Sequence, residues 1–244
     1  MDWKLFYIHD SFLLTIDATR YIMAIARESL FFDELKSFII HDKRGEGMKL
    51  QELAIVRSGL VLARKQAREP TDNSDSSYPL INLRCIRQEG EIDLRDAGTY
   101  KASAPLKEEY LTHVGDIIVR LTAPYTAVIV DEDTSGMVIS SNFLVIRIKD
   151  QRLLPEYLFW LLNTPKMRQK IYENATSNML GAVNAKFLAG LELSILPTDE
   201  QHRIAQLNLL SKRESQLLKE LSAEKEKLYA GLLDQAYEKV KRGN

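Results

Sequence analysis

The residues best suited to act on another molecule are basic ones set near hydroxyl and aromatic groups. Arg57, Arg64, Lys65 and Arg68 cluster, Arg84 and Arg87 follow, and Lys101 and Arg120 come later. Arg120 leads into Thr122, Ala123, Pro124 and Tyr125, an irregular excursion between two apolar runs. Such an excursion sets a guanidinium, a hydroxyl and an aromatic ring at the rim of a sheet, within reach of phosphates or base edges. Acidic residues are about as numerous in this region, so solvated charged faces are the plainer account of each cluster taken alone. The formal net charge of the 244-residue chain is -1, so any attraction to nucleic acid must be local.

Motifs for catalysis are missing. No G-x-S-x-G, G-x-x-x-x-G-K-[ST] or G-x-G-x-x-G occurs. His9, His41, His113 and His202 are scattered without metal-ligand spacing and read as surface residues. Asp131, Glu132 and Asp133 have the composition of a metal site, but a charged hairpin tip is the ordinary reading of them. The single cysteine, Cys85, excludes an internal disulfide and a multi-cysteine zinc site. It lies in an alternating apolar run and reads as core. A reducing cytoplasm suits such a chain. Asp10, Asp17, Arg20, Arg27 and Glu28 interrupt the apolar N-terminal region, so no stretch approaches the roughly 20 apolar residues that span a bilayer.

The elements that must position these residues end in a long helix. From Pro197 to Lys241 apolar residues recur at three- and four-residue steps: Ile204, Leu207, Leu210, Leu217, Leu218, Leu221, Leu228 and Leu232. No proline follows Pro197. Thr198 and Asp199 offer cap oxygens. The pattern predicts a helix of roughly 35–40 residues, about 55 Å long, whose apolar stripe needs a partner helix. The alternative is a long helix packed on its own domain.

Upstream, residues 1–47 read as one or two helices followed by a polar linker, His41 to Gly47. That segment is either an accessory helical piece or an extension ahead of a natural start at Met48. Residues 48–197 read as a mixed sheet of short strands. A short helix at Lys49–Ala54 leads into a strand continuing through Leu60, Val61 and Leu62. Further strands are expected at Tyr78–Ile86, Val114–Arg120, Ala127–Val130, Met137–Ile148 and Phe187–Leu196, with helices at Glu156–Asn163 and Pro165–Asn174. The class is α+β.

Several of these stretches resemble the DNA-specificity subunits of type I restriction–modification systems. Lys49-Leu50-Gln51-Glu52-Leu53-Ala54 with Val56-Arg57-Ser58-Gly59 resembles the start of that family's target-recognition domain. Gly115-Asp116-Ile117-Ile118-Val119-Arg120 resembles its glycine–aspartate strand, and Ile139 to Arg147 the strand after it. Pro155-Glu156-Tyr157-Leu158 resembles its "P-E-Y-L" helix. Leu193 to Gln201, with Ile204 and Ala205, resembles its sheet-to-helix joint. The joint departs in having Pro197-Thr198 where the family usually has two prolines. The match runs from about Met48 to the C-terminus. Family members usually carry two recognition domains and two long helices, and this sequence has one of each, so it looks like a half-subunit.

The resemblance implies a target-recognition domain at 48–197 and a long coiled-coil helix at 198–244 for pairing and methyltransferase docking; the helical extension or upstream start at 1–47 has no counterpart in it. It implies a non-catalytic chain without a cofactor of its own, S-adenosylmethionine and ATP being used by partner subunits. The implied partners are double-stranded DNA, methyltransferase (modification) subunits, restriction subunits through them, and a second copy of the chain. Two-fold pairing implies a palindromic bipartite target. The residues then expected at DNA are Arg57, Arg64, Lys65, Arg84, Arg87, Lys101, Arg120, Thr122, Tyr125, Asn142, Asn178 and Lys186. Those expected on the pairing seam are Leu207, Leu210, Leu217, Leu218, Leu221, Leu228 and Leu232. The competing class is a protein-interaction module whose helix only oligomerises. An enzyme on the same sheet would instead show metal-dependent turnover.

Overall fold

The computed structural model describes residues 46–67, 76–177 and 181–243. Its contacts divide the chain into Met1–Arg44 and Gly45–Asn244. The predicted N-terminal helices lie outside the described residues. The architecture below is that of the second unit, and it is α+β.

The first strand, β1, spans Glu46–Lys49, so the last residues assigned to a linker are already in a sheet. It pairs antiparallel with β9, Glu192–Ile195, in a two-stranded sheet. Met48 lies opposite Leu193 in that register. One helical turn, α1 (Leu50–Leu53), buries Leu50 and Leu53 and turns the chain into β2, Ala54–Ser58. The beginning of the domain and the strand before the long helix are therefore tied together.

Instead of one mixed sheet there are three. The central sheet has four antiparallel strands in the order β2, β8 (Phe143–Ile148), β5 (Ile117–Arg120), β6 (Ala127–Ile129). It is covered on both faces. Ile117, Val119, Ala127, Leu144 and Ile146 join one core cluster, while Ile118, Val128, Phe143 and Val145 join another. Burial on both faces explains why these strands read as continuous apolar runs rather than alternating ones. A three-stranded sheet contains β4 (Gly98–Lys101), β3 (Ser77–Ile81) and β7 (Val138–Ile139), with β3 and β7 parallel.

Four strand predictions fail where polar or small residues redirect the chain. The strand expected over Met137–Ile148 breaks at Ser140-Ser141-Asn142, and its halves enter different sheets. The strand expected through Leu62 ends at Ser58. A Cβ on Gly59 would sit 2.2 Å from the Ser140 carbonyl oxygen, and Leu60 only bridges Ser140 before a 3₁₀ turn at Leu62–Arg64. The strand expected over Tyr78–Ile86 stops at Ile81, because the Asn82 side chain accepts from Arg84 N at 2.8 Å and opens a 3₁₀ turn. The first half of Phe187–Leu196 belongs instead to helix Ala185–Ala189, capped by Asn184, whose Oδ1 accepts from Phe187 N at 2.7 Å.

Two helices cover one face of the central sheet. We call them α2 (Pro155–Asn163) and α3 (Pro165–Thr176), and the short Ala185–Ala189 helix α4. Proline opens both α2 and α3, where its missing N–H costs nothing. Tyr157, Leu158, Phe159 and Leu162 of α2 are buried.

The final helix, α5, runs over Thr198–Arg242, 45 residues, about 67 Å at 1.5 Å per residue. Neither Thr198 nor Asp199 caps it. Pro197 holds the cap position without a side-chain hydrogen bond, and Asp199 and Glu200 complement the positive end of the helix dipole in its first turn. The fixed point is Gln201, fully buried. Its amide donates to Arg152 O at 2.7 Å and Leu196 O at 2.8 Å, and accepts from Leu154 N at 2.9 Å. One side chain thus joins the end of β9, the loop before α2 and the first turn of α5. Gln201→Ala leaves these backbone groups unpaired in the interior and is expected to cost about 3 kcal/mol. Urea unfolding of the full chain measures this; a loss below about 0.5 kcal/mol would show that the joint does not depend on the amide.

Candidate nucleic-acid interface

The pairing of segments 65–67 and 101–103 brings three of the expected residues together. Ala67 N donates to Lys101 O at 3.1 Å, and Ser103 N donates to Lys65 O at 2.9 Å. Arg64 and Lys101 are exposed. The Lys65 ammonium stands 5.2 Å from the centre of the Tyr110 ring. That gives a cationic edge with one aromatic face.

A second group lies at the rim of the central sheet. Arg120 is in register with Phe143, and Leu121 N donates to Asn142 O at 3.1 Å. Arg120 Nε reaches Thr122 Oγ1 at 3.4 Å. Arg120, Thr122 and Asn142 therefore share one edge, with Thr122 and Asn142 exposed. The excursion is a tight turn: Tyr125 N donates to Thr122 O at 3.0 Å, with a cis peptide before Pro124. The two groups flank one crossing, where Leu60 N donates to Ile139 O and Ser141 N donates to Leu60 O.

Tyr125 does not present its ring at this rim. It is buried, its ring edge-on to Tyr172 with centroids 6.4 Å apart, and its hydroxyl donates to Gly181 O at 3.3 Å. It holds α3 and the chain at Gly181 against the sheet. Arg87 is committed internally as well: its guanidinium bonds Asp93 at 2.6 Å and Asp96 at 2.8 Å. Asp93 is shared with Arg95, and these two guanidiniums, Arg95 first, hold its carboxyl well below the usual range. Arg84 is exposed on its 3₁₀ turn. Lys186, on α4, lines an open cleft of about 580 Å³ with Lys170, Glu173 and Phe187. Asn178 lies outside the described residues.

Arg57 sits on β2 opposite Val145, half-buried. Burial depresses its pKa, and the neighbouring Arg147 charge depresses it further. Arg147 is different, because Asp116 meets it in a two-point pair: Nε to Oδ1 at 2.8 Å and Nη2 to Oδ2 at 2.6 Å. That pairing raises the Arg147 pKa. Arg147 Nη2 also donates to Leu111 O at 3.0 Å, and Asp116 Oδ2 accepts from His113 N at 2.9 Å. The aspartate after Gly115 is thus a structural anion, and it leaves Arg57 as a cation with no ion pair among the described residues. Arg147 was absent from the sequence-based candidates; only its position four residues after Phe143 in a core strand hinted at a buried partner.

The seam leucines are all exposed in the single chain, from 41% at Leu207 to 66% at Leu210. Leu209, Tyr229, Leu233, Tyr237 and Val240 add further exposed apolar surface on α5. Among the described residues no group of three or more His, Cys, Asp or Glu could hold a metal, and no helix is long and apolar enough to cross a membrane. The Asp131 carboxylate accepts from Thr134 N at 3.0 Å and Thr134 Oγ1 at 2.6 Å, which closes its own turn.

No family model and no curated protein matches the sequence. Solved structures do match in fold. A chain from a structure of a type I R-M system, described for its complex assembly and conformational transition, aligns over 91% of this chain with a TM-score of 0.52 and 17% identity. The HsdS subunit from Thermoanaerobacter tengcongensis aligns over 86% with a TM-score of 0.54 and 15% identity. This is the specificity-subunit fold of type I restriction–modification systems. The sequence spans about half the length of those chains, 54% and 50%. The described residues hold one copy of the sheet body and one long helix.

Within that fold the Asp116–Arg147 pair is expected to be structural. Asp116→Asn removes a charge that is 2% exposed and leaves Arg147, 25% exposed, without its counter-ion. A loss of about 3 kcal/mol in chemical unfolding is expected. An Asp116→Asn, Arg147→Met double variant should regain most of it, since an apolar replacement leaves no unpaired charge; failure to regain it would assign the loss to packing.

Proposed function

We propose that this chain is a DNA-specificity subunit of a type I restriction–modification complex, in a form with one recognition domain that works as half of a pair. Its body binds one half of a bipartite target, and its long helix pairs with the helix of a second copy. Methyltransferase subunits dock on the paired helices and bring restriction subunits with them. Those partners carry the chemistry, with S-adenosylmethionine and ATP, on cytoplasmic DNA. The chain itself supplies binding, orientation and spacing.

The observation that carries this reading is the direction of the leucine stripe on a body of this fold. At 100° per residue, Leu207, Leu210, Leu217, Leu218, Leu221, Leu228 and Leu232 fall within a sector about 100° wide. Glu200, Gln201, Ile204, Ala205, Asn208 and Lys212, the buried or partly buried residues of α5, occupy a sector whose centre lies about 120° round the helix from that of the stripe. The stripe therefore points away from the body that the helix grows from. A stripe so directed is unsuited to packing within its own domain and suited to a second helix.

For DNA, support comes from the two cationic groups flanking the chain crossing. Arg64, Lys65 and Lys101 are placed to meet phosphates. Arg120, Thr122 and Asn142 have the donors and acceptors that read base edges. Arg57 lies on the same sheet face as Arg120.

Deleting the gene and mapping methyladenine across the host genome tests the proposal. The expected result is loss of one palindromic two-part motif; an unchanged methylome would reject the proposal. Arg120→Ala is expected to weaken target binding by about 1–3 kcal/mol at fixed salt. Affinity of the wild-type chain for that target should fall steeply as salt rises, whereas a protein-interaction module would show no DNA affinity to lose. Leu221→Asp combined with Leu228→Asp should halve the mass seen by light scattering while circular dichroism keeps most of the helix. A normal mass would remove these leucines from the seam.

A further inference from the structure

The long helix leaves the body at a second fixed point. Lys212 and Lys219 lie seven residues apart, two turns along one face of α5, and both reach the turn at Gln88–Glu91. Lys212 Nζ donates to Glu89 O at 2.5 Å and stands 4.2 Å from the centre of the Phe159 ring. Lys219 Nζ meets Glu89 Oε1 at 3.2 Å. From the other side, Arg168 Nη2 donates to Asn163 Oδ1 at 2.8 Å and reaches Gln88 O at 3.4 Å. The turn is built for this seat. Gly90 has φ +84°, and a Cβ there would stand 2.9 Å from Lys212 Nζ and 3.2 Å from both Ala127 O and Phe159 Cε2. A side chain there is strained by the backbone conformation and displaces the lysine end. Beyond Lys212, every described residue of α5 is exposed.

We propose that the 88–91 turn, gripping Lys212 and Lys219, is a latch that fixes the direction of the long helix and thereby the spacing between the two half-sites. This rests on the function proposed above, which it deepens: Lys212, Lys219, Glu89 and Gly90 are positioning residues for spacer length. A rod held only at Gln201 pivots; a rod held again at Lys212, about 16 Å further along, does not. Leu232 lies about 46 Å from Gln201, so about 1 Å of slack at Lys212 becomes about 3 Å there. That is close to the rise of about 3.4 Å per base pair. A loosened latch therefore admits targets one base pair longer or shorter.

Lys212→Met keeps the apolar stem over Phe159 and removes the donor. Paired with Lys219→Met, it opens the latch from the helix side, and Gly90→Ala opens it from the turn. Lys212→Arg retains a donor for Glu89 O and serves as the conservative variant. The first readout is the distance distribution between spin labels at Glu132 and Glu238 of the full chain, diluted with excess unlabelled chain; Cys85 is buried and stays unlabelled. A narrow wild-type distribution should broaden at least twofold in the double variant and in Gly90→Ala, and stay narrow in Lys212→Arg. The second readout is the host methylome. The latch-open variants should methylate the same half-sites at spacers one base pair longer and shorter, at least tenfold more often than wild type. An unchanged distance distribution, or a single unchanged spacer, overturns the latch. A wild-type methylome without a two-part motif overturns the proposed function instead, and the distance distribution alone then decides the latch.

Discussion

Everything the long helix can do depends on the buried amide of Gln201. It makes three hydrogen bonds to backbone groups of two other segments, and it does so in the first turn of α5. A 45-residue helix has no means of orienting itself: its own hydrogen bonds set its shape and not its direction. The pairing of β1 with β9 brings the chain to the joint, and Gln201 fixes the point from which the helix leaves it. A charged side chain could not serve here. A fully buried ion needs a counter-ion, and the three groups that Gln201 meets are neutral.

The candidate interface depends on a different constraint, the crossing of Gly59–Leu60 with Ser140–Ser141. There the central sheet hands the chain to the three-stranded sheet, and only a residue without a side chain fits at position 59. The crossing sets Arg64, Lys65 and Lys101 on one side and Arg120, Thr122 and Asn142 on the other. A polar surface of this kind needs a rigid support, because a hydrogen-bonding group displaced by 1 Å no longer matches its partner. The support is a sheet with apolar clusters on both faces.

Electrostatics separate the arginines that hold the fold from Arg57, which has no ion pair among the described residues. Arg87 and Arg147 make two-point or bridging contacts with carboxylates, and their pKa values rise accordingly. Arg57 is pushed the other way by burial and by the neighbouring Arg147. The carboxylates of Asp116 and Glu109 offset part of that effect. Arg95, though exposed, is tied to Asp93 and belongs with the first group.

By itself the sequence determined the elements whose physics is local. Leucines at helical spacing with no proline after Pro197 dictate a long helix; proline at the first position of α2 and α3 dictates their starts; the run Ile117–Val119 dictates a strand buried on both faces. The order of these stretches was enough to read the specificity-subunit fold. The sequence also placed Arg64, Lys65, Arg120 and Thr122 in loops or at strand ends, where they prove exposed or partly so, whereas Asn142, expected in mid-strand, is exposed at a break between two strands. Tertiary structure decided what depends on partners distant along the chain. Tyr125 turns inward because Gly181 and Tyr172 lie beneath it, and the apolar run from Met137 divides because its halves find different neighbours. Gln201 bonds groups 47 and 49 residues away, and Lys212 a carbonyl 123 residues away. Those acceptors and donors are backbone groups, which every residue carries, so no side-chain pattern in the sequence marks them.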